Sequence, residues 1–333
     1  MAEEEQNPDH THVNDLSCDE DYWSAVEQPL IRTQNNKVST TVPVVLAASV
    51  RPSPLPQYRV ELEHEEHEEC WLRILLSKEH EEHTKLFGCF YGLQVDDHDL
   101  SLIASHARQE AVHWILDANS YHSFSAFTVV LAVNYLDRFL LSLKLCRELP
   151  MKPWMVQLVA TACLTLAAKV EETHVPPLLD LQVDKSKYYA FTPKSIQRME
   201  LLVLSLLDWK MNPVIPLSFL SYIIEMVPLA DHKHQVEFSA LFEHFVLSQV
   251  LHDFRFVHYG PSVVAVAVTL RVMKQMGFGG EDFDICKNEL CHVFQSNEEE
   301  FEACYQLFIL RSVSNGGRNI ANIQATDCVT LLN

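Results

Sequence analysis

Glycine is nearly missing from this chain, at 8 of 333 residues, where an average protein carries about 7%. None lies between Gly92 and Gly260. A phosphate-cradling loop, a Rossmann turn and a nucleophile elbow each need backbone that only glycine adopts cheaply, so that interior cannot hold one. With 48% apolar residues there is material for one large or two smaller cores, and a long glycine-free interior favours helices. The expectation is an all-α protein in two helical domains, with nucleotide-binding and α/β-hydrolase enzymes disfavoured.

Charge narrows the partners. The formal net charge is −20, and residues 1 to 83 hold 18 acidic against 6 basic side chains, a net of −12. An acidic surface repels phosphates, so no nucleic-acid partner is expected. No apolar signal segment and no uninterrupted apolar stretch of membrane length is apparent, so neither secretion nor membrane insertion is expected. Nine cysteines without a CxxC pair sit mostly in apolar runs and read as small buried hydrophobes in a reducing compartment.

Residues 1–60 are polar and acidic, then rich in Val, Ser and Pro, with no helical apolar period; a disordered arm is expected, with Ser53-Pro54 a proline-directed phosphorylation candidate. Residues 61–212 form the first domain. It opens on a Glu/His-rich lead-in helix with Trp71, Ile74 and Leu75 on its apolar face. The pairs His64/His67 and His80/His83 could suggest zinc, but no further ligand completes a set, and a solvated helix face is the expected role. Helical patterns follow near 99–119, 124–143, 152–171 and 193–208. Pro213 and Pro216 then interrupt, and a second series near 216–227, 233–252, 261–276, 281–293 and 297–312 makes the second domain, residues 213–312. Residues 313–333 read as a flexible tail.

The segment Trp154 to Val170 is apolar almost all round, as a central core helix should be. Its polar exceptions, Gln157, Thr161, Thr165 and Lys169, are spaced by four and so form a seam along one side. A lysine ending such a seam either snorkels from the helix C-terminus, where the dipole favours it, or meets an acceptor. Glu171 and Glu172 follow where that dipole disfavours anions, which points to solvation or a partner.

Arg108, Ala111, Trp114-Ile115, Phe124, Val129, Ala132-Val133 and the run Tyr135-Leu136-Asp137-Arg138-Phe139 resemble the cyclin-box signature position by position. The run Leu166-Ala167-Ala168-Lys169-Val170-Glu171-Glu172 and the segment Gln197 to Leu202 are similar to the family as well. At the other end, Leu16-Ser17-Cys18-Asp19-Glu20 fits the LxCxE pattern of D-type cyclins. The wording from Arg108 to Leu116 resembles the plant D-type group.

That resemblance implies tandem five-helix cyclin-box domains behind a lead-in helix and a disordered arm. It implies a non-catalytic, activating subunit of a cyclin-dependent kinase, acting in the nucleus at the G1/S transition. Lys169 and Glu200 would grip the kinase. Leu16, Cys18 and Glu20 would bind a retinoblastoma-related pocket protein and promote its phosphorylation, and kinase inhibitors are further partners. Trp114 and Gln157 would remain from a substrate-docking groove, although Ala107, Glu110 and Ala111 stand where larger apolar residues usually line it; Trp114 has an alternative role as plain core. Arg108 and Asp137 would form a buried structural ion pair outside any binding site. Two other functions stay open: a kinase-independent cyclin-box adaptor in transcription, and a metal-dependent hydrolase on the His-rich helix.

Overall fold

The computed structural model describes residues 71–84, 106–146, 153–182, 189–295 and 297–315. The LxCxE residues, the expected disordered arm, Ser53, His64, His67 and most of the tail lie outside them.

All regular secondary structure among the described residues is helical. Helix α1 is 71–84. Then come α2 (His106–His122), α3 (Ala126–Cys146), α4 (Pro153–Glu171) and α5 (Pro193–Leu206). After a 3-10 turn (Pro216–Phe219), the second half contains α6 (Leu220–Met226), α7 (His232–Phe245), α8 (Pro261–Gln275), α9 (Glu281–Val293) and α10 (Glu298–Asn315). α7 runs into a π-helical turn, Val246–Val250, and a second 3-10 turn, Phe254–His258, precedes α8.

Local chemistry sets most of these boundaries. Thr192 accepts from the Ser195 amide at the start of α5, with Pro193 in the first turn, and Asp231 caps α7 by accepting from the His234 amide at 2.9 Å. α8 ends on Gly277, whose φ of +88° allows the Phe278 amide to reach back to the Met273 carbonyl at 3.0 Å.

Each half is built around one buried helix. α4 packs against α2, α3 and α5; α8 packs against α7, α9, α10 and the 3-10 turn at Pro216. α4 is long and apolar enough to cross a membrane, but it is 78% buried within the fold and serves as a core helix. Thr161 and Thr165 of the polar seam are fully buried and donate back to the Gln157 and Thr161 carbonyls at 2.9 and 2.8 Å. The buried apolar residues of both halves, from Leu72 to Phe308, join in a single continuous cluster.

α1 departs from expectation. Trp71 and Ile74 are exposed, at 60% and 49%, while Leu72 and Glu79 are the residues turned inward. Nor is the Glu/His run merely a solvated face. Lys78 donates to the Asn212 carbonyl, Glu82 accepts from the Val214 amide at 3.1 Å, and His83 meets the His258 carbonyl at 3.2 Å. The helix thus bridges the inter-domain linker and the second half.

Candidate functional site

The end of α4 and the middle of α5 bring Lys169 and Glu200 together. The Lys169 ammonium donates to both carboxylate oxygens, at 2.7 and 2.8 Å. α4 delivers the lysine where the rod leaves the core: Ala167 and Ala168 are fully buried, while Lys169, Val170 and Glu171 are exposed. α5 is amphipathic, burying Ile196, Met199 and Val203, and it carries Glu200 on the edge of that face. The glutamate side chain is 9% accessible and the lysine 46%. Water therefore reaches the ammonium, so the pair adds little to stability. Its chemical capacity is larger than its use. The ammonium has a third donor free in geometry, and the carboxylate has further lone pairs, so the two together can hold a backbone carbonyl and a backbone amide of another chain. Exposed Val170 (40%) and Leu201 (60%) flank the pair in sequence, an apolar setting that would desolvate such contacts.

Three side chains that the sequence did not single out for this role hold the site in place. Glu172 accepts from the Ser125 amide at 2.9 Å and the Thr128 hydroxyl at 2.6 Å, which puts its carboxylate on the N-terminal turn of α3. The α3 dipole stabilises it there, and this resolves why an anion follows the end of α4. Glu171 has its carboxyl pushed up by partial burial and by Glu172 beside it. The segment entering α5 is clamped by two glutamine amides. Gln157 exchanges two 3.0 Å bonds with the Tyr189 backbone, and Gln182 does the same with Phe191 at 2.9 and 2.6 Å.

Gln157 is therefore engaged with its own chain. Trp114 is 1% exposed and packs in the core with its indole N–H unpaired, so these two residues do not line an open docking groove. The tryptophan occupies the buried side of α2, alongside Ala111 and Ile115.

Arg108 and Asp137 meet in a bidentate, buried pair, at 2.6 and 2.8 Å, joining α2 to α3. The guanidinium also donates to the Leu251 carbonyl at 3.0 Å and so reaches the second half. Both side chains line a cleft of about 440 Å³ between the halves.

A further unforeseen group is Glu79 of α1. It is buried and accepts from the Ser262 amide, at 3.2 and 3.3 Å, and from the Ser262 hydroxyl at 2.8 Å. Burial pushes its carboxyl up to about 7. α8 begins Gly260-Pro261-Ser262 with no side-chain cap of its own, and Glu79 supplies the missing acceptor from another helix. That uncapped start is the one sequence signal that could have found it.

Among the described residues no group of three or more His, Cys, Asp or Glu is arranged to hold a metal ion. The buried thiols are poor nucleophiles: desolvation pushes Cys163 and Cys304 well up, and Cys286 to about 11.

The sequence profile of the cyclin N-terminal domain matches residues 74–212, and that of the cyclin C-terminal domain matches residues 214–325. The chain belongs to the cyclin family. The cyclin is similar to plant D-type members. It is 40% identical to cyclin-D3-3 of Arabidopsis thaliana over 253 residues, covering 75% of this chain and 65% of that one. It is 45% identical to Arabidopsis cyclin-D3-1 over 215 residues, with 64% and 54% covered, and 44% identical to rice cyclin-D4-1 over 177 residues, with 53% and 47% covered. The chain thus spans about half to two thirds of the length of these relatives. Among solved structures, the X-ray structure of a viral cyclin from herpesvirus saimiri aligns at a TM-score of 0.46 and 12% identity, over 61% of this chain and 87% of that one.

Proposed function

We propose that this cyclin is a non-catalytic activating subunit of a cyclin-dependent protein kinase. The observation that carries the reading is the Lys169–Glu200 pair, half open to water at the end of the core helix and flanked by exposed Val170 and Leu201. A kinase transfers phosphoryl groups only when its αC glutamate pairs with the β3 lysine that orients ATP. Holding the backbone at the start of αC, by one ammonium and one carboxylate on a rigid surface, stabilises that state over the inactive one. Every catalytic group then belongs to the kinase.

The finer reading places this subunit at the G1/S transition in the nucleus. Leu16, Cys18 and Glu20 are spaced by two, so binding in an extended form would turn all three to one groove of a retinoblastoma-related protein and tether it beside the kinase as a substrate. Kinase inhibitors of the same assembly are further partners.

Lys169→Glu and Glu200→Ala are expected to lose kinase co-purification and histone-kinase activity, with helical circular dichroism and melting temperature unchanged. The exchange Lys169→Glu with Glu200→Lys restores the internal pair but not binding. Full activity in the exchanged variant would refute recognition by this pair. For the arm, Cys18→Ala with Glu20→Ala is expected to abolish binding to the pocket protein while kinase activity on histone stays intact.

A further inference from the structure

The cleft between the two halves takes no part in the proposed kinase contact. Its walls are largely apolar: α3 contributes Val130 and Val133, and the second half contributes Val250, Phe256, Val257 and Val264. Its volume, about 440 Å³, lies within the range of cavities that take small ligands, about 300–1,000 Å³. Elsewhere the buried apolar residues of both halves pack in one continuous cluster, so an open space of this size departs from the packing around it.

The chain between the halves keeps the space from closing. Pro213 and Pro216 stand in its lining, and proline cannot carry α5 onward across the gap. Before them Asp208 and Trp209 both hold left-handed φ values, +51° and +59°, a conformation that costs an L-residue energy and recurs at binding sites. On the side of the second half, Val246 and Val250 belong to the π-helical turn, a distortion frequent at functional positions.

The charged groups of the lining balance one another. It holds four carboxyl groups, Glu79, Glu82, Asp137 and Asp208, and three cations, Arg108, Arg138 and Lys210. Asp137 takes the Arg108 guanidinium in two bonds. Glu82 and Asp208 both act on Arg138, which also donates to the Lys210 carbonyl at 3.0 Å. Glu79 accepts from Ser262, and burial lifts its carboxyl to about 7, so near neutral pH it is about half protonated. The one carboxyl in excess is thus offset by the one whose charge is suppressed, and the lining as a whole is close to neutral.

We infer that this cleft is a binding site for an uncharged, largely apolar small molecule. Such a ligand gains by leaving water for the valine- and phenylalanine-lined space, and it supplies the packing contacts that the space lacks. A ligand with a net charge of either sign brings an ion into a partly desolvated cleft whose own charges are already balanced, so its desolvation goes uncompensated. Because the walls come from both halves, an occupant touches both at once, and binding stabilises the folded chain.

The test is fluorescence titration of the full chain with three dyes that share one fluorophore and differ in charge: dansyl amide (neutral), 5-dimethylaminonaphthalene-1-sulfonate (anionic) and dansyl cadaverine (cationic). Saturable binding of dansyl amide at one site is expected, with a rise in melting temperature, and both charged dyes should bind about tenfold or more weakly. Val257→Trp and Val130→Phe fill the cleft from opposite walls, and each should weaken dansyl amide about tenfold or more. The charge series is read on the parent chain, so it stands even if a filled variant melts early. No saturable binding of the neutral dye would overturn the inference, as would three affinities within about twofold, or folded variants that bind within about twofold of the parent. Dansyl amide binding about tenfold tighter after deletion of residues 1–60 would assign the cleft to this chain's own arm and overturn a small-molecule site.

Discussion

Asp137 makes the two shortest contacts of the Arg108 guanidinium, and both side chains are shut off from water. Removing one member of such a pair leaves the other charged and desolvated, which costs about 3–5 kcal/mol. Asp137→Ala is expected to lower urea-unfolding stability by that amount, and double replacement by apolar residues of similar size to restore much of it. Because Arg108 also holds the Leu251 carbonyl, the single variant should raise hydrogen exchange in the 246–251 segment too. Asp137→Ala unfolding within 1 kcal/mol of the parent would show that Arg108 finds a new partner. Lys169 contrasts with it: its ammonium is solvated, so its loss belongs to binding rather than folding. Both pairs consist of a cation and a carboxylate 29 to 31 residues apart, and only burial separates structure from function.

At the scale of elements, α1 and α8 form one device. Glu79 closes the start of α8, and Gly260 has no side chain because a Cβ there would stand 2.2 Å from the Glu79 carboxylate oxygen. Gly260→Ala should push that flexible side chain aside and cost about 1–3 kcal/mol, the penalty of unmaking buried hydrogen bonds. With Glu79 already replaced by Ala, the same substitution should cost far less, a coupling that a double-mutant cycle measures. The pH dependence follows from the raised carboxyl. Glu79 has an ordinary value of 4.5 and about 7 when folded, raised by burial with Glu300 and Glu82 adding repulsion. The folded state therefore binds the proton more tightly. Its contribution is fully present below about pH 4.5 and is lost as pH rises through about 7. Relative to Glu79→Gln, parent stability is expected to decline across that window, at no more than about 1.4 kcal/mol per pH unit. A flat difference between pH 5 and 7.5 would contradict it.

Across the whole molecule, one continuous core, two polar links and one packing contact join the halves: α1 to Asn212, Val214, His258 and Ser262; Arg108 to Leu251; and α3 against the π-helical turn. Deleting residues 1–84 removes the first of these. The truncated chain is expected to unfold in two calorimetric steps, and to be cut by protease in the linker near Pro213, where the full chain unfolds in one and resists cleavage.

The helices themselves were legible in the sequence, because apolar period, prolines and caps act within one or two turns, and the cyclin-box signature marked the family. Lys169 stood out as the lone cation on an apolar rod. What that pattern could not supply was geometry between distant segments. Trp114 and Gln157, candidates for a groove, are taken up by the core and by the Tyr189 backbone. The inward face of α1 is not legible in its own residues, because Glu79 turns inward against Ser262, a contact across 183 residues. The scarcity of glycine determined a rigid helical chain with no phosphate loop in its interior, since backbone freedom is a local property of each residue. Only the tertiary structure decided why the first glycine after that interior, Gly260, has to be one: a carboxylate from another helix occupies the space its side chain would need.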